Sequence, residues 1–188
     1  MTSSSRLETA LAAIDAANEQ DPNVELVDGA EVKKEIAYSR RMTTWLGKIA
    51  PDAPEFMQIA ARAQHIRRWE IPRTDYPEGK KGYHLWRTTL YRHHANAAVK
   101  IMATYGYGED DIEKTRRLLL KKNLRTDSDM QLLEDVICLV FLENYFLDFS
   151  KQHGEEKMNG IIQKTWAKMT ERGHEAALAI PIADEVRA

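Results

Sequence analysis

The chain has 188 residues, of which 43% are hydrophobic and 30% are charged, and its formal net charge at pH 7 is −2. These proportions are ordinary for a soluble globular protein, and no stretch approaches the roughly 20 apolar residues of a membrane-spanning helix. The single cysteine, Cys138, excludes an internal disulfide and every metal site built from several cysteines. Because the first residues lack the basic and apolar regions of a signal peptide, we expect a cytoplasmic protein.

Helical patterns follow one another along the chain. Ser5 is a candidate N-cap for an Ala/Leu-rich first helix, which Pro22 ends. The Asp28-Gly29 pair lies between two short β-prone runs and predicts a small hairpin or an ordered loop. A second helix contains KKEIAYSRRMTTWLGKIAP, and a third runs through APEFMQIAARAQHIRRWEI until Pro72 stops it.

The rest of the sequence predicts a loop followed by further helices. PRTDYPEGKKGYH contains two prolines and two glycines, and is typical of a loop. After it, aspartates and a serine stand where helix N-caps are expected. We therefore predict an all-α protein with one helical domain over residues 1–188. A flexible tail is expected at residues 1–5, and the C-terminal helices at residues 155–180.

Positive charge is concentrated in the middle of the chain, where residues 62–125 contain 15 Lys and Arg against 7 Asp and Glu. Guanidinium groups bind phosphate or carboxylate in bidentate geometry, and aromatic rings among them suit a nucleotide base. The alternatives are that these charges are merely solvated, that the rings belong to the core, and that Lys121 is the basic last turn of a helix. The candidate substrate-binding residues are Arg62, Arg67, Arg68, Trp69, Arg73, Tyr83, Arg87 and Lys121.

Two adjacent carboxylates interrupt an apolar helical pattern in LLEDVICLVFLENYF. Asp135 shares a helix face with Leu139 and Leu142, and Glu134 shares one with Cys138. No rotation of this helix exposes both carboxylates, so we expect at least one to be buried. A buried carboxylate must be paired, hydrogen-bonded, protonated or bound to metal. A structural ion pair with an arginine and a catalytic or metal-binding role are both open.

Three histidines are candidate metal ligands or acid–base groups. His65 lies on the predicted third helix with Arg62 and Trp69, where a satisfied hydrogen-bonding histidine is the alternative. His93 and His94 are consecutive, so on a helix they point about 100° apart and cannot both bind one metal ideally. We expect one of these two to face inward; the alternative to a ligand role is one histidine in the core and one on the surface.

The order of these residues resembles the HD superfamily of all-α, metal-dependent phosphohydrolases, over residues 35–149. AARAQHIRRWEIPR is similar to that family's apolar helix ending in a His-Asp pair. RHHANAAVKIMATYGYGEDDIEKTRRLLLKK is similar to its histidine-containing helices, and LLEDVICLVFLE to its closing helix with a metal-binding aspartate. The resemblance implies an HD-like helix arrangement and a divalent metal, such as iron, manganese, zinc or nickel. The ligands that it implies are His65, either His93 or His94, and Asp135.

A second resemblance spans nearly the whole chain. RRMTTWL, AQHIRRWEIPR, YPEGKKGYHLWRTTLYRHHA and LEDVICLVFLENYF are similar to the uncharacterised domain-of-unknown-function family 4202. No activity is established for that family, so this resemblance predicts no particular function.

Two functions are open from the sequence. The first is a divergent HD-like hydrolase or metalloenzyme acting on a small phosphorylated or nucleotide-like anion, with His65, Glu134 and Asp135 as catalytic residues. The second is a non-catalytic module that binds a nucleotide or another anion and has lost the metal site, because Gln64-His65 stands where the HD family has His-Asp. Overall acidity and the lack of a recognition motif disfavour nucleic acid as a partner. The sequence indicates neither a membrane partner nor an oligomeric state.

Overall fold

The computed structural model of the protein describes residues 5–124, 126–152 and 154–181. Two strands form an antiparallel hairpin, β1 (Val24–Val27) and β2 (Ala30–Lys33). The α-helices within the described residues are α1 (Arg6–Asn18), α2 (Lys34–Ile49), α3 (Glu55–Arg62), α4 (Gly79–Thr104), α5 (Glu109–Leu119), α6 (Ser128–Asn144), α7 (Phe146–Lys151), α8 (Glu155–Trp166) and α9 (Glu171–Leu178). The prediction of an all-α protein with a short hairpin is confirmed, and α8 and α9 lie within the predicted C-terminal helical region.

Local sequence signals determine where the first elements begin and turn. The Ser5 hydroxyl accepts a hydrogen bond from the backbone N–H of Glu8, whose carboxylate accepts one from the backbone N–H of Ser5. Ser5 is therefore the predicted N-cap, and the rest of the predicted tail, residues 1–4, lies outside the described residues. Asp28 and Gly29 have φ angles of 51° and 81°, as a tight two-residue hairpin turn requires.

Two hydrophobic clusters meet at the short helix α3. Met57 and Ala60 face a cluster that includes Met42 of α2 and Leu133 of α6. Ile59 faces a second cluster, formed mainly with α1, α4 and α5. Because α3 is packed on both sides, the segment that follows it starts from a fixed position in the middle of the protein.

The helix predicted to continue to Pro72 ends ten residues earlier, at Arg62, so that prediction was wrong. Arg67 has a φ angle of 53°, and 3₁₀ turns follow at Arg68–Glu70 and Arg73–Asp75. Most backbone groups of this irregular segment (residues 63–76) cannot form regular helical hydrogen bonds and bind other partners. The N–H of Arg67, for example, donates to the side-chain oxygen Oδ1 of Asn18, 3.1 Å away. The imidazole rings of His93 and His94 on α4 hydrogen-bond to the carbonyls of Arg67 and Ile66 in the same segment. Several other N–H groups of the segment donate to backbone carbonyls three residues earlier, so tight turns and side chains together replace the regular helical hydrogen bonds.

Among the described helices, none combines the length and the apolar run that a membrane-spanning segment requires.

Both carboxylates of α6 are buried, as the sequence predicted for at least one of them; Asp135 is 1% exposed and Glu134 is 7% exposed. The oxygens of Asp135 accept hydrogen bonds from the backbone N–H of Thr170, at 2.8 Å, and from its hydroxyl, at 2.5 Å. Thr170 is the N-cap of α9, so the negative charge lies at the positive end of that helix. Asp135 thus joins α9 to α6.

Gly173 allows this close approach, because a Cβ atom added there would lie 2.4 Å from Asp135 Oδ1. We expect Gly173→Ala to lower the free energy of unfolding by about 1–3 kcal/mol, through displacement of the carboxylate from Thr170. Urea unfolding followed by circular dichroism measures the change. Gly47→Ala in α2 is the matched control, since no atom lies within 4 Å of its added Cβ. That control should be neutral or stabilising, and equal effects of the two substitutions would contradict the role of Gly173.

Candidate functional site

A cleft of about 640 Å³ opens between α2, α4, α6 and the C-terminal helices. The irregular segment after α3 contributes His65 and Arg68 to it. From α4, Arg87, Tyr91 and His94 follow at helical spacings of four and three, so that one face of the helix lines the cleft. The residues predicted from the sequence that the structure brings together here are His65, Arg68, Tyr83, Arg87, His94, Lys121 and Glu134.

The predicted residues Arg62, Arg67, Trp69, Arg73, His93 and Asp135 do not line this cleft. Arg62 instead forms a bidentate pair with Asp15 of α1, at 2.8 and 2.5 Å. Arg67 lies 3.3 Å from Glu70, and Arg73 donates to the carbonyl of Tyr76 at 2.8 Å. These guanidiniums therefore have structural partners that do not line the cleft.

Cationic side chains are crowded in the cleft. The pKa of Lys121 is lowered to about 8, because burial and the positive charge of Arg87 together outweigh the opposing effect of Glu134. The pKa of Arg68 is also lowered, first by burial, and Arg87 adds to that effect. The charge of Arg87 therefore disfavours the charged forms of Lys121 and Arg68, which lowers the stability of the protein when nothing neutralises it.

Glu134 compensates only part of this positive charge. Its carboxylate lies 3.5 Å from the Lys121 ammonium and 3.3 Å from that of Lys168. Burial raises the pKa of Glu134, but the two lysines lower it by more, so the group is ionised. Within the described residues, no carboxylate is hydrogen-bonded to Arg68 or Arg87, although the carboxylate of Glu35 raises the pKa of Arg68. The cleft consequently has an excess of positive charge.

His65 lies between a carboxylate and a guanidinium. Its ring stacks on Tyr38, with centroids 3.8 Å apart and an angle of 11° between the planes. Its Nδ1 is 3.3 Å from Oε2 of Glu35, and its Nε2 is 3.4 Å from Nη1 of Arg68. Since a guanidinium can only donate, we assign the proton to Nδ1 and the lone pair to Nε2. The pKa of His65 is lowered well below its usual value by burial, with Arg68 adding to the effect, so the ring is neutral.

Glu35 is the functional candidate that sequence reasoning missed. It is 5% exposed, and burial raises its pKa from 4.5 to about 7. A usable signal was present, because Glu35 precedes the buried residues Tyr38 and Met42 by three and seven positions and so shares their face of α2. A glutamate on the apolar face of a helix would have identified the position.

The adjacent histidines of α4 lie on different sides of the irregular segment, and the expectation that one faces inward is confirmed. His94 is 1% exposed, and its Nδ1 donates to the carbonyl of Ile66 at 2.8 Å. Its Nε2 has no hydrogen-bond partner among the described residues, and burial lowers its pKa to about 3. His93 is 3.1 Å from the carbonyl of Arg67 and 3.3 Å from Glu70.

The residues expected to hold a divalent metal do not converge. Within residues 5–124, 126–152 and 154–181, no group of three or more His, Cys, Asp or Glu side chains is arranged to bind a metal ion. His65 and His94 are neighbours, with ring centroids 5.9 Å apart, but His93 binds elsewhere and Asp135 binds Thr170. The predicted metal site stays a prediction.

The raised pKa of Glu35 makes stability depend on pH. Between about pH 4.5 and 7 the unfolded chain loses this proton while the folded protein retains it, so stability falls as the pH rises. We expect Glu35→Gln to be more stable than the wild type at pH 8, by up to about 3 kcal/mol, and similar to it below pH 4.5. Urea unfolding at the two pH values measures this. The exposed Glu31→Gln substitution removes the same charge, and an equal gain there would contradict the assignment to burial.

Comparison with known proteins gives one match. The model of the family described as "Domain of unknown function (DUF4202)" matches residues 8–188. No curated protein and no solved structure matches the chain. The similarity to the HD superfamily is not confirmed by these comparisons, whereas the second resemblance in the sequence is. The chain belongs to the DUF4202 family.

Proposed function

We propose that the cleft binds a small phosphorylated anion, a class to which nucleotides belong. The observation that carries this proposal is the convergence of Arg68, Arg87 and Lys121 on one cavity with only partial neutralisation by Glu134. An anion would remove the mutual repulsion of these cations, so its binding would be favoured by relief of a cost that the empty protein bears. Phosphate carries the required charge and accepts several hydrogen bonds at once.

The two guanidiniums are held in place before any ligand binds. Nε and Nη2 of Arg87 donate to the hydroxyl of Tyr91 at 3.1 and 2.7 Å. The guanidinium of Arg68 lies over the ring of Trp86, 4.8 Å from its centroid. Ordering in advance reduces the entropy lost on binding, which supports a binding role over that of a solvated basic surface.

The binding proposal predicts that Arg87→Gln weakens the affinity for inorganic pyrophosphate at least tenfold, because a charge-assisted hydrogen bond contributes about 1.5–3 kcal/mol. Isothermal titration calorimetry at constant ionic strength measures the dissociation constants. Arg92→Gln is the matched control: it removes the same charge from an exposed position on the same helix. If the wild type does not bind pyrophosphate, or if both variants weaken it equally, the proposal is wrong.

A second candidate function is hydrolysis of a phosphate ester, and the arrangement of Glu35, His65 and Arg68 favours it. A phosphate oxygen held by Arg68 would lie next to His65 Nε2, since those two side chains are 3.4 Å apart. A water oxygen would attack phosphorus and form the new P–O bond while one water proton passes to Nε2; the P–O bond to the alcohol breaks, and the departing oxygen takes up that proton from Nε2 or one from solvent. Glu35 would face the imidazolium that forms and stabilise it.

This chemistry predicts that Glu35→Gln and His65→Gln each lower kcat at least 100-fold toward p-nitrophenyl phosphate while changing pyrophosphate affinity less than threefold, because neither residue is a cation. Release of p-nitrophenol measures turnover, and calorimetry measures the affinity. Glu31→Gln and His84→Gln, both at exposed positions, are the controls.

The same assay separates the two proposed functions. Pyrophosphate binding without turnover, both in a chelator and with added iron, manganese, zinc or nickel, would support the non-catalytic module. Turnover that appears only with one of these ions would support the predicted metalloenzyme. The cytoplasmic location is likewise a prediction, compatible with a small phosphorylated metabolite as the ligand.

A further inference from the structure

The cleft has an apolar side that faces its cations. Phe141 of α6, Phe149 of α7 and Ile161 of α8 line it, and each is partly exposed. Arg68 and Arg87 line it from the irregular segment and from α4. The apolar side is continuous with the charged one within a single cavity, so one ligand can contact both.

The cleft is larger than a phosphate group alone would occupy. Its volume of about 640 Å³ lies within the range of roughly 300–1,000 Å³ typical of pockets for whole small molecules. Glu134 and Phe141 lie seven residues apart on α6, which corresponds to about 10 Å along the helix axis. Phe141 thus lies about two helical turns from the carboxylate that binds the lysines, so a ligand that contacts both must carry a group beyond its phosphate.

Aromatic rings line the cleft both on its apolar side and on the side of α4. The ring of Phe141 packs edge-to-face against that of Phe149, with centroids 6.0 Å apart and an angle of 74°. Tyr83 and Tyr91 line the cleft from α4, and Tyr145 lines it from the end of α6. Aromatic rings gain from offset or edge-to-face contacts with a further ring, beyond the burial of area alone.

Resting on the proposed function, we infer that the ligand is a phosphate ester of an aromatic group, with its phosphate at Arg68, Arg87 and Lys121 and its ring against Phe141. An acyclic sugar phosphate or polyol phosphate would satisfy the cations and leave the aromatic side of the cleft in water. The aromatic group thus supplies the specificity, whereas the cations supply the charge recognition.

The test compares two probes of similar charge, 1-naphthyl phosphate and glycerol 3-phosphate, by isothermal titration calorimetry. The wild type is expected to bind 1-naphthyl phosphate at least tenfold more tightly. Phe141→Leu, which keeps an apolar side chain without the ring, should remove most of that preference and leave the glycerol 3-phosphate affinity within twofold of the wild type. Phe146→Leu is the matched control: its ring packs 6.2 Å from Phe141 but does not line the cleft.

Each outcome of this comparison decides the inference. Equal affinities of the wild type for the two probes would overturn the aromatic preference while leaving phosphate binding intact. A preference that Phe141→Leu leaves unchanged, or that Phe146→Leu removes equally, would overturn the assignment to Phe141. If neither probe nor pyrophosphate binds, the proposed function itself fails.

Discussion

The hydrogen bonds from the rings of His93 and His94 to two consecutive carbonyls, those of Arg67 and Ile66, fix the segment on which the cleft depends. A chain that leaves the helical conformation after α3 exposes backbone groups that must find other partners. Because α4 supplies two of them, the irregular segment lies against a helix that is itself rigid. The positions of His65 and Arg68 in the cleft result from this placement of the segment. The turn between them also brings their side chains within 3.4 Å of each other.

Charge burial gives the cleft its chemical character. Glu35 is destabilised in its ionised form by burial, whereas Lys121 and Arg68 are destabilised by burial and by a neighbouring cation. The costs at Lys121 and Arg68 lower the stability of the empty protein and are reduced by an anion, whereas an anion disfavours the ionised form of Glu35 further. The same cations that weaken the fold therefore increase the free energy available for binding, which is how strain at a functional site is commonly balanced.

Local sequence rules predicted most helices and turns correctly, but they failed where contacts between distant residues determine where a helix ends. The capping box at Ser5 and the turn at Asp28 depend only on neighbouring residues, so the sequence is sufficient for them. The end of α3 depends on Asn18, His93 and His94, which are distant in sequence. For the site, the basic segment and its histidine were identified from composition, whereas Glu35 was missed because it was not compared with the buried face of α2.

The two buried carboxylates of α6 show why adjacency in sequence is a poor guide to shared function. Consecutive helix residues point about 100° apart, so Glu134 faces the cleft and its lysines while Asp135 faces Thr170 at the start of α9. Removal of Asp135 would leave two donors of Thr170 without partners and weaken the attachment of α9. Loss of activity in an Asp135 variant is therefore expected for a structural reason alone, and it would not identify this residue as a metal ligand. Only substitutions that leave α9 in place, such as those of cleft-facing residues, report on the chemistry of the cleft.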